Sequence, residues 1–318
     1  MSWSRIIPAL VAVGLAGCAG ESGGGETGPG NTGTGTSLVC GVPASCPAVE
    51  RECLGLVDNS GKSRFGLRIS EIHVRAPEAL AAGLIGRALA TDVRPANMAC
   101  NLDGTGTASW LLRFDTDAGT LKIGGARPVV DPTKGYAFVD EVIRGQHVRP
   151  AKLDVAVAAD GSFATEAPRD LLLPIFLDTY GKAIVFPLRA ARLGAGALSV
   201  SHGCIGRYDA AGLDPANACL PDDDQRAFVP GASIEGILVL EDADRAVIDS
   251  SALSLCARLA GADPALVTTD AAGVTVCRRD AGGRILLLGN ACSIAGEGCA
   301  DAVAVRADFA ASAVRIEE

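Results

Sequence analysis

Ten cysteines fall at wide, irregular intervals between residues 40 and 299: Cys40, Cys46, Cys53, Cys100, Cys204, Cys219, Cys256, Cys277, Cys292 and Cys299. An even set of this size restricts the chain to folds that bring five pairs of sulfurs together, provided the compartment is oxidising. Metal ligation is the rival use of so many thiols. Zinc sites want ligands two to four residues apart. Here there is no C-x-x-C, and the three histidines, His73, His147 and His202, are scattered. Five disulfides are therefore expected. Local closures give the pairs Cys204–Cys219, Cys256–Cys277 and Cys292–Cys299, with Cys40, Cys46, Cys53 and Cys100 pairing among themselves. A bridge closing a loop like 204–219 contributes about 3 kcal/mol through chain entropy.

The amino terminus supplies the compartment. Arg5 is a short positive region, and Ile6 to Leu15 is an apolar run of ten residues. That run is too short to span hydrocarbon, which needs about 20 residues, and suits a signal-peptide core. It ends in Leu15-Ala16-Gly17-Cys18, which resembles the lipobox of bacterial lipoproteins. The resemblance covers the first eighteen residues and implies cleavage before Cys18 and lipid on its thiol, so that 1–17 is a signal peptide. Two or three acyl chains, at about 0.8 kcal/mol per buried methylene, anchor stably where one does not. Membrane lipid is then a partner through acylated Cys18. The location implied is the bacterial cell envelope, with the outer membrane or cell surface favoured because no Asp follows the cysteine.

Residues 18–37 hold the lipidated cysteine and a Gly/Ser/Thr-rich stretch without a large apolar side chain. This is a tether with an r.m.s. reach of roughly 25 Å. Gly28-Pro29-Gly30-Asn31-Thr32-Gly33 inside it matches G-x-G-x-x-G by letters only, since no strand precedes it and no helix follows.

Residues 38–318 read as one disulfide-stapled, β-rich domain. Leu67 and Ile69 alternate with polar neighbours, and Ile72 and Val74 continue one residue out of phase, which predicts a bulge near Ser70-Glu71. Further strands are expected at Trp110–Phe114, Leu121–Ile123, Tyr136–Val139 and Leu153–Val157, the last followed by a turn at Asp160-Gly161. The continuous apolar runs at Leu171–Leu177, Ala183–Leu188, Ile237–Leu240 and Ile285–Leu288 read as fully buried strands. Val303, Val305 and Phe309 keep period two near the end. Two helices are expected. One opens at Pro77-Glu78 and carries Leu80, Leu84 and Ala88; the other is capped by Ser250 or Ser251 and runs through Leu253, Cys256 and Leu259 to Gly261. The fold class is mainly β, a sandwich or barrel with a few peripheral helices.

Charge narrows the partners. The formal net charge is −9, with only five lysines, and no run of Lys or Arg offsets it. Nucleic acid is excluded on that balance, and the ligand expected is an envelope or extracellular one. Aromatic residues make up 4% of the chain, too few to expect a carbohydrate platform. Trp110 is the single tryptophan after residue 17, and Tyr136, Tyr180 and Tyr208 are unpatterned.

Three motifs bear on chemistry. Ser201-His202-Gly203-Cys204-Ile205 resembles the signature of the L,D-transpeptidases, which implies Cys204 as a thioester-forming nucleophile with His202 nearby. That family's upstream His-Gly has no counterpart, since the nearest earlier histidine is His147, and Gly206 stands where its arginine would be. A nucleophilic thiol must be free, and one free cysteine among ten would leave a second unpaired. A structural bridge is the reading adopted, with no catalytic residue; an envelope transpeptidase or hydrolase using Cys204 is the alternative. Asp115-Thr116-Asp117-Ala118-Gly119 is a D-x-D-x-G fragment, joined by the acidic runs Asp222-Asp223-Asp224 and Glu241-Asp242-Ala243-Asp244. Asp115 and Asp117 are calcium candidates, but no acid follows at the sixth acceptor position, and solvated turns with no metal are the reading adopted. Gly61-Lys62-Ser63 lacks the spacing of a phosphate loop and reads as a turn. No cofactor is nominated.

Overall fold

In the computed structural model, Val39–Glu318 forms one compact unit. The structure describes residues 40–317 except 83–85, 87–88, 90, 96–99, 101, 103, 177–181, 218, 222–225, 262 and 295–298. The leader, Cys18, the tether, Leu84, Ala88, Leu177, Tyr180 and the 222–224 acids lie outside the described residues.

The core is an eleven-stranded sheet. Its strands are β1 (Arg64–Ala76), β2 (Ser109–Asp115), β3 (Thr120–Ala126), β4 (Ala151–Val157), β5 (Ser162–Thr165) and β6 (Arg169–Phe176). They continue with β7 (Ala183–Gly194), β8 (Gly196–Ala197), β9 (Cys204–Ile205), β10 (Ala232–Val239) and β11 (Ala302–Ala313). Every pairing is antiparallel, in the order β8-β5-β4-β3-β2-β1-β11-β10-β7-β6, with β9 beside β11.

The sheet curls until β5 comes beside β7. β7 and β8 are one stretch of chain, yet β7 pairs with β10 and β8 pairs with β5. The Thr165 hydroxyl seals the seam by donating to the Leu193 carbonyl and accepting from the Leu193 amide. The sheet is curled rather than fully closed, since β6 pairs on one side only, with β7, and of the two architectures expected, the barrel-like one is observed.

The bulge falls where the sequence phase slips. The register of β1 against β11 jumps between Ile69 and Glu71. Phe65, Leu67 and Ile69 face the interior before it, and Ile72 and Val74 after it. Arg68 and Ser70 point outward by alternation and the extra residue turns Glu71 outward beside them, where all three are nevertheless buried. What buries them is a cover built from residues 40–56, Cys100, Leu102 and the described residues of 207–228, with its own apolar cluster around Leu54, Leu102, Tyr208, Leu213 and Phe228.

Three disulfides hold this cover: Cys40–Cys219 and Cys46–Cys100 join its segments to one another, and Cys53–Cys204 ties it to β9, with Cα separations of 5.5, 4.7 and 5.5 Å. Cys256–Cys277 and Cys292–Cys299 close the remaining two local loops as expected. The expected Cys204–Cys219 bridge is corrected: both partners reach back to the amino-terminal segment instead. Of the four early cysteines, only Cys46 and Cys100 pair with each other. Sequence proximity favours short loops, but Cys204 sits at the start of β9, where the cover crosses the outer face of β11, and that crossing brings Cys53 to it.

The two ends of the barrel differ. One is filled by Phe65, Phe114 and Phe163, with ring centroids 5.2 and 5.3 Å apart. The other is roofed by α1 (Glu78–Ala81), α2 (Leu240–Arg245), α3 (Leu255–Leu259) and a four-stranded sheet of short strands between Val247 and Cys277. The second expected helix is shorter than its sequence pattern. Ser254, rather than Ser250 or Ser251, caps it by accepting from the Ala257 amide, and Leu253 belongs to a strand. Ile285–Leu288 is not a buried strand; Ile285 makes one isolated bridge and Leu288 is 77% exposed. Tyr136–Val139 contributes isolated bridges only. Among the described residues no helix is long and apolar enough to cross a membrane.

Candidate functional site

Under the roofed end the barrel is hollow. A chamber of about 330 Å³ opens there, within the ~300–1,000 Å³ of small-ligand pockets. Its walls come from the inward face of six strands: Ile72 and Val74 on β1, Trp110 on β2, Leu173 and Ile175 on β6, Ile184, Phe186 and Leu188 on β7, Ile234 on β10, and Val305 and Ala307 on β11. Period-two alternation sends these side chains inward, and β-branched Ile and Val dominate because they suit a pleated surface. Trp110 is fixed as a wall by donating its indole N–H to the Pro174 carbonyl at 3.2 Å. Protein interiors hold few voids larger than a water molecule. A hollow of this size, lined so uniformly by hydrocarbon, is a space suited to an apolar guest.

The roof supplies Leu80 and Leu89 from one side, and Ile248, Leu253 and Leu255 from the other. It is anchored below α3 by buried Asp244. One oxygen of that carboxylate accepts from the Ser254 hydroxyl at 3.0 Å and the Cys277 amide at 2.8 Å; the other pairs with Arg279 at 2.9 Å. The Cys256–Cys277 disulfide fixes the same joint.

Three polar residues, Asp92, Ser251 and Arg258, line the chamber beside this hydrocarbon. Asp92 is occupied, accepting from the Thr105 hydroxyl at 3.0 Å, and burial raises its carboxyl above the ordinary value against those threonine bonds. Arg258, one turn beyond Leu255, differs. Its Nε is buried and has no hydrogen-bond partner. A buried N–H donor left unpaired costs about 1–3 kcal/mol, so a guest offering an acceptor there would regain that loss.

The residues singled out by sequence lie elsewhere. Cys204 is bonded to Cys53 and holds no thiol for attack. His202, at φ +56°, stacks on Phe65 with centroids 4.5 Å apart and places Nδ1 3.1 Å from the Lys62 carbonyl oxygen. Its ring caps the filled end of the barrel, and the Ser-His-Gly-Cys sequence forms the turn that enters β9. Asp115 sits in the β2–β3 turn with both oxygens committed, one to the Ala118 amide at 3.0 Å and one to Arg64 at 2.7 Å. The amide holds its carboxyl below the usual range, ahead of Arg64. Asp117 is exposed at the same turn and is not brought beside Asp115's ligating oxygens by any described contact. Glu241, Asp242 and Asp244 lie on α2 and pair with Arg279, Arg189 and Arg245. Gly61-Lys62-Ser63 is a turn with Gly61 at φ +70°.

The chamber was missed because its lining is indistinguishable in sequence from core. One signal was present: Trp110 and Phe186 are large residues on alternating strands of an aromatic-poor chain, and both line the chamber. Comparison with protein-family models, curated proteins and solved structures finds no match to this chain.

Proposed function

We propose that this chain is a lipid-anchored envelope protein whose barrel binds an apolar small molecule, with an acidic head group meeting Arg258. The observation that supports binding is the hydrocarbon-walled hollow with a single unpartnered buried donor among its lining groups. The lipobox resemblance at Leu15–Cys18 and ten cysteines in five pairs support export to an oxidising envelope. A non-catalytic role fits the use of Cys204 in a disulfide.

A long-chain carboxylic acid has the required chemistry. Each methylene buried contributes about 0.8 kcal/mol, and a charge-assisted bond to the guanidinium adds about 1.5–3 kcal/mol. Calorimetric titration with hexadecanoic acid and with hexadecanol separates the two contributions. The acid is expected to bind one per chain and to lose roughly 10- to 100-fold in affinity in Arg258→Gln, while the alcohol changes little. Equal losses for both ligands, or no binding of either, would remove the reading.

A further inference from the structure

A second feature lies outside the chamber, on the outer face of β2, β3 and β4. A groove of about 810 Å³ there is lined by six cations: Lys62, Arg64, Arg113, Lys122, Lys152 and Arg315. Asp115 is the one acid among its lining residues, and it is paired with Arg64. Three of the five lysines in a chain of net charge −9 have been gathered into this groove from three separate parts of the sequence. No run of basic residues announces it.

Register makes the arrangement specific. Arg113 on β2 stands directly opposite Lys122 on β3, and Lys122 stands directly opposite Lys152 on β4. Directly opposed like charges destabilise a sheet. The ladder therefore acts against folding, and the electrostatics agree: desolvation and the neighbouring Arg113 hold the Lys122 ammonium below its usual range, with Asp140 opposing. That carboxylate is itself 2.7 Å from His147. Among the described residues, no ion pair within 4.0 Å involves Arg113, Lys122 or Lys152. The Phe138 ring steadies the row, with the Lys122 ammonium 4.7 Å and the Arg113 guanidinium 5.9 Å from its centroid. An aromatic face orients the cations without neutralising them.

We infer that this row is a binding site for a ligand carrying several phosphate-type anionic groups in line. Neighbouring strands are about 4.8 Å apart, so the three cations span roughly 10 Å. That spacing fits two or three successive phosphates better than a single one. The site is on the opposite face of the sheet from the chamber, and its occupation is independent of the apolar guest. Phosphates of this kind occur free in solution or as clustered lipid head groups.

The test uses the full chain and three probes: inorganic tripolyphosphate, inorganic phosphate, and vesicles of phosphatidylcholine with or without one-fifth phosphatidylglycerol. Tripolyphosphate is expected to bind one per chain at least 10-fold tighter than phosphate. Affinity should fall at least 10-fold in Lys122→Gln and stay unchanged in Lys134→Gln, a lysine outside the groove. Binding to the charged vesicles that is lost in Lys122→Gln assigns the phosphates to head groups; tripolyphosphate binding alone assigns them to a soluble ligand. Melting supplies a readout without ligand: Lys122→Gln should melt at or above the parent temperature, since it removes repulsion. If neither tripolyphosphate nor the charged vesicles bind, if tripolyphosphate binds no tighter than phosphate, or if binding is the same in Lys122→Gln and Lys134→Gln, the inference is overturned.

Discussion

Glu71 shows how one inserted residue places a titratable group. The bulge at Ser70 turns its carboxylate into the space between barrel and cover, where the amides of Ala227 and Phe228 donate to it at 3.0 and 3.2 Å. Burial pushes its pKa up to about 7 from 4.5, outweighing Arg94, Arg226 and the two amides, which all act downward. The sign follows from proton counting. Between pH 4.5 and 7 the folded chain holds a proton that the unfolded chain has released, so this group's contribution to stability declines as pH rises through that window. The upper bound is about 3 kcal/mol. Glu71→Gln should flatten the slope between pH 5 and pH 8 in urea titrations; an unchanged slope would place the titration elsewhere. Arg68, its buried neighbour, is accommodated differently, by neutral acceptors. It donates to the Ser109 hydroxyl and the Ile69 and Val93 carbonyls and lies 5.6 Å from the Tyr136 ring centroid. The phase slip that placed Glu71 was readable from Ile69 and Ile72, because a barrel interior tolerates no polar residue in register. That the outer face is also buried was not readable, since the cover comes from distant segments.

At the scale of elements, the roof is the part that governs access to the chamber. Ser254 does two jobs there, capping α3 through the Ala257 amide and donating to Asp244. Ser254→Ala should cost about 1–3 kcal/mol from cap loss and an under-satisfied buried carboxylate. Thermal melting would read it, and a change under 0.3 kcal/mol would show that the roof is held otherwise. Ile184→Trp addresses the walls. It should fill the hollow and abolish binding of the carboxylic acid while the melting temperature holds or rises; retained binding would move the site out of the chamber. Strands with clean alternation, such as Leu153-Val155-Val157, were legible because one face meets water. Ile285–Leu288 misled because a continuous apolar run says nothing about whether a partner strand is present, and here none runs alongside it. The chamber walls and the core proper share one sequence signature, and only the fold separates filled from hollow.

For the whole molecule, covalent closure sets the stability. Cys40–Cys219 and Cys53–Cys204 close loops of 179 and 151 residues. Chain entropy assigns about 5 kcal/mol to a loop of that size, less when two are nested. Thiol titration of the denatured, unreduced chain should find none of the ten cysteines free. Replacing Cys53 and Cys204 together by Ala should lower stability by several kcal/mol and loosen the cover while the barrel strands persist. One free thiol would reopen the nucleophile reading of Cys204. The even number of cysteines was a sound guide to five bridges, but long-range partners depend on topology that spacing does not encode.

The central claim is that the hollow end of the barrel holds an apolar chain against Trp110. With Trp3→Phe, Trp110 is the only indole emitter in the sequence. Titration with a hexadecanoic acid brominated in mid-chain, a contact quencher, should extinguish its fluorescence and saturate at one ligand per protein, with non-brominated acid restoring it by competition. Emission that stays constant, or falls linearly without saturation, would contradict the account.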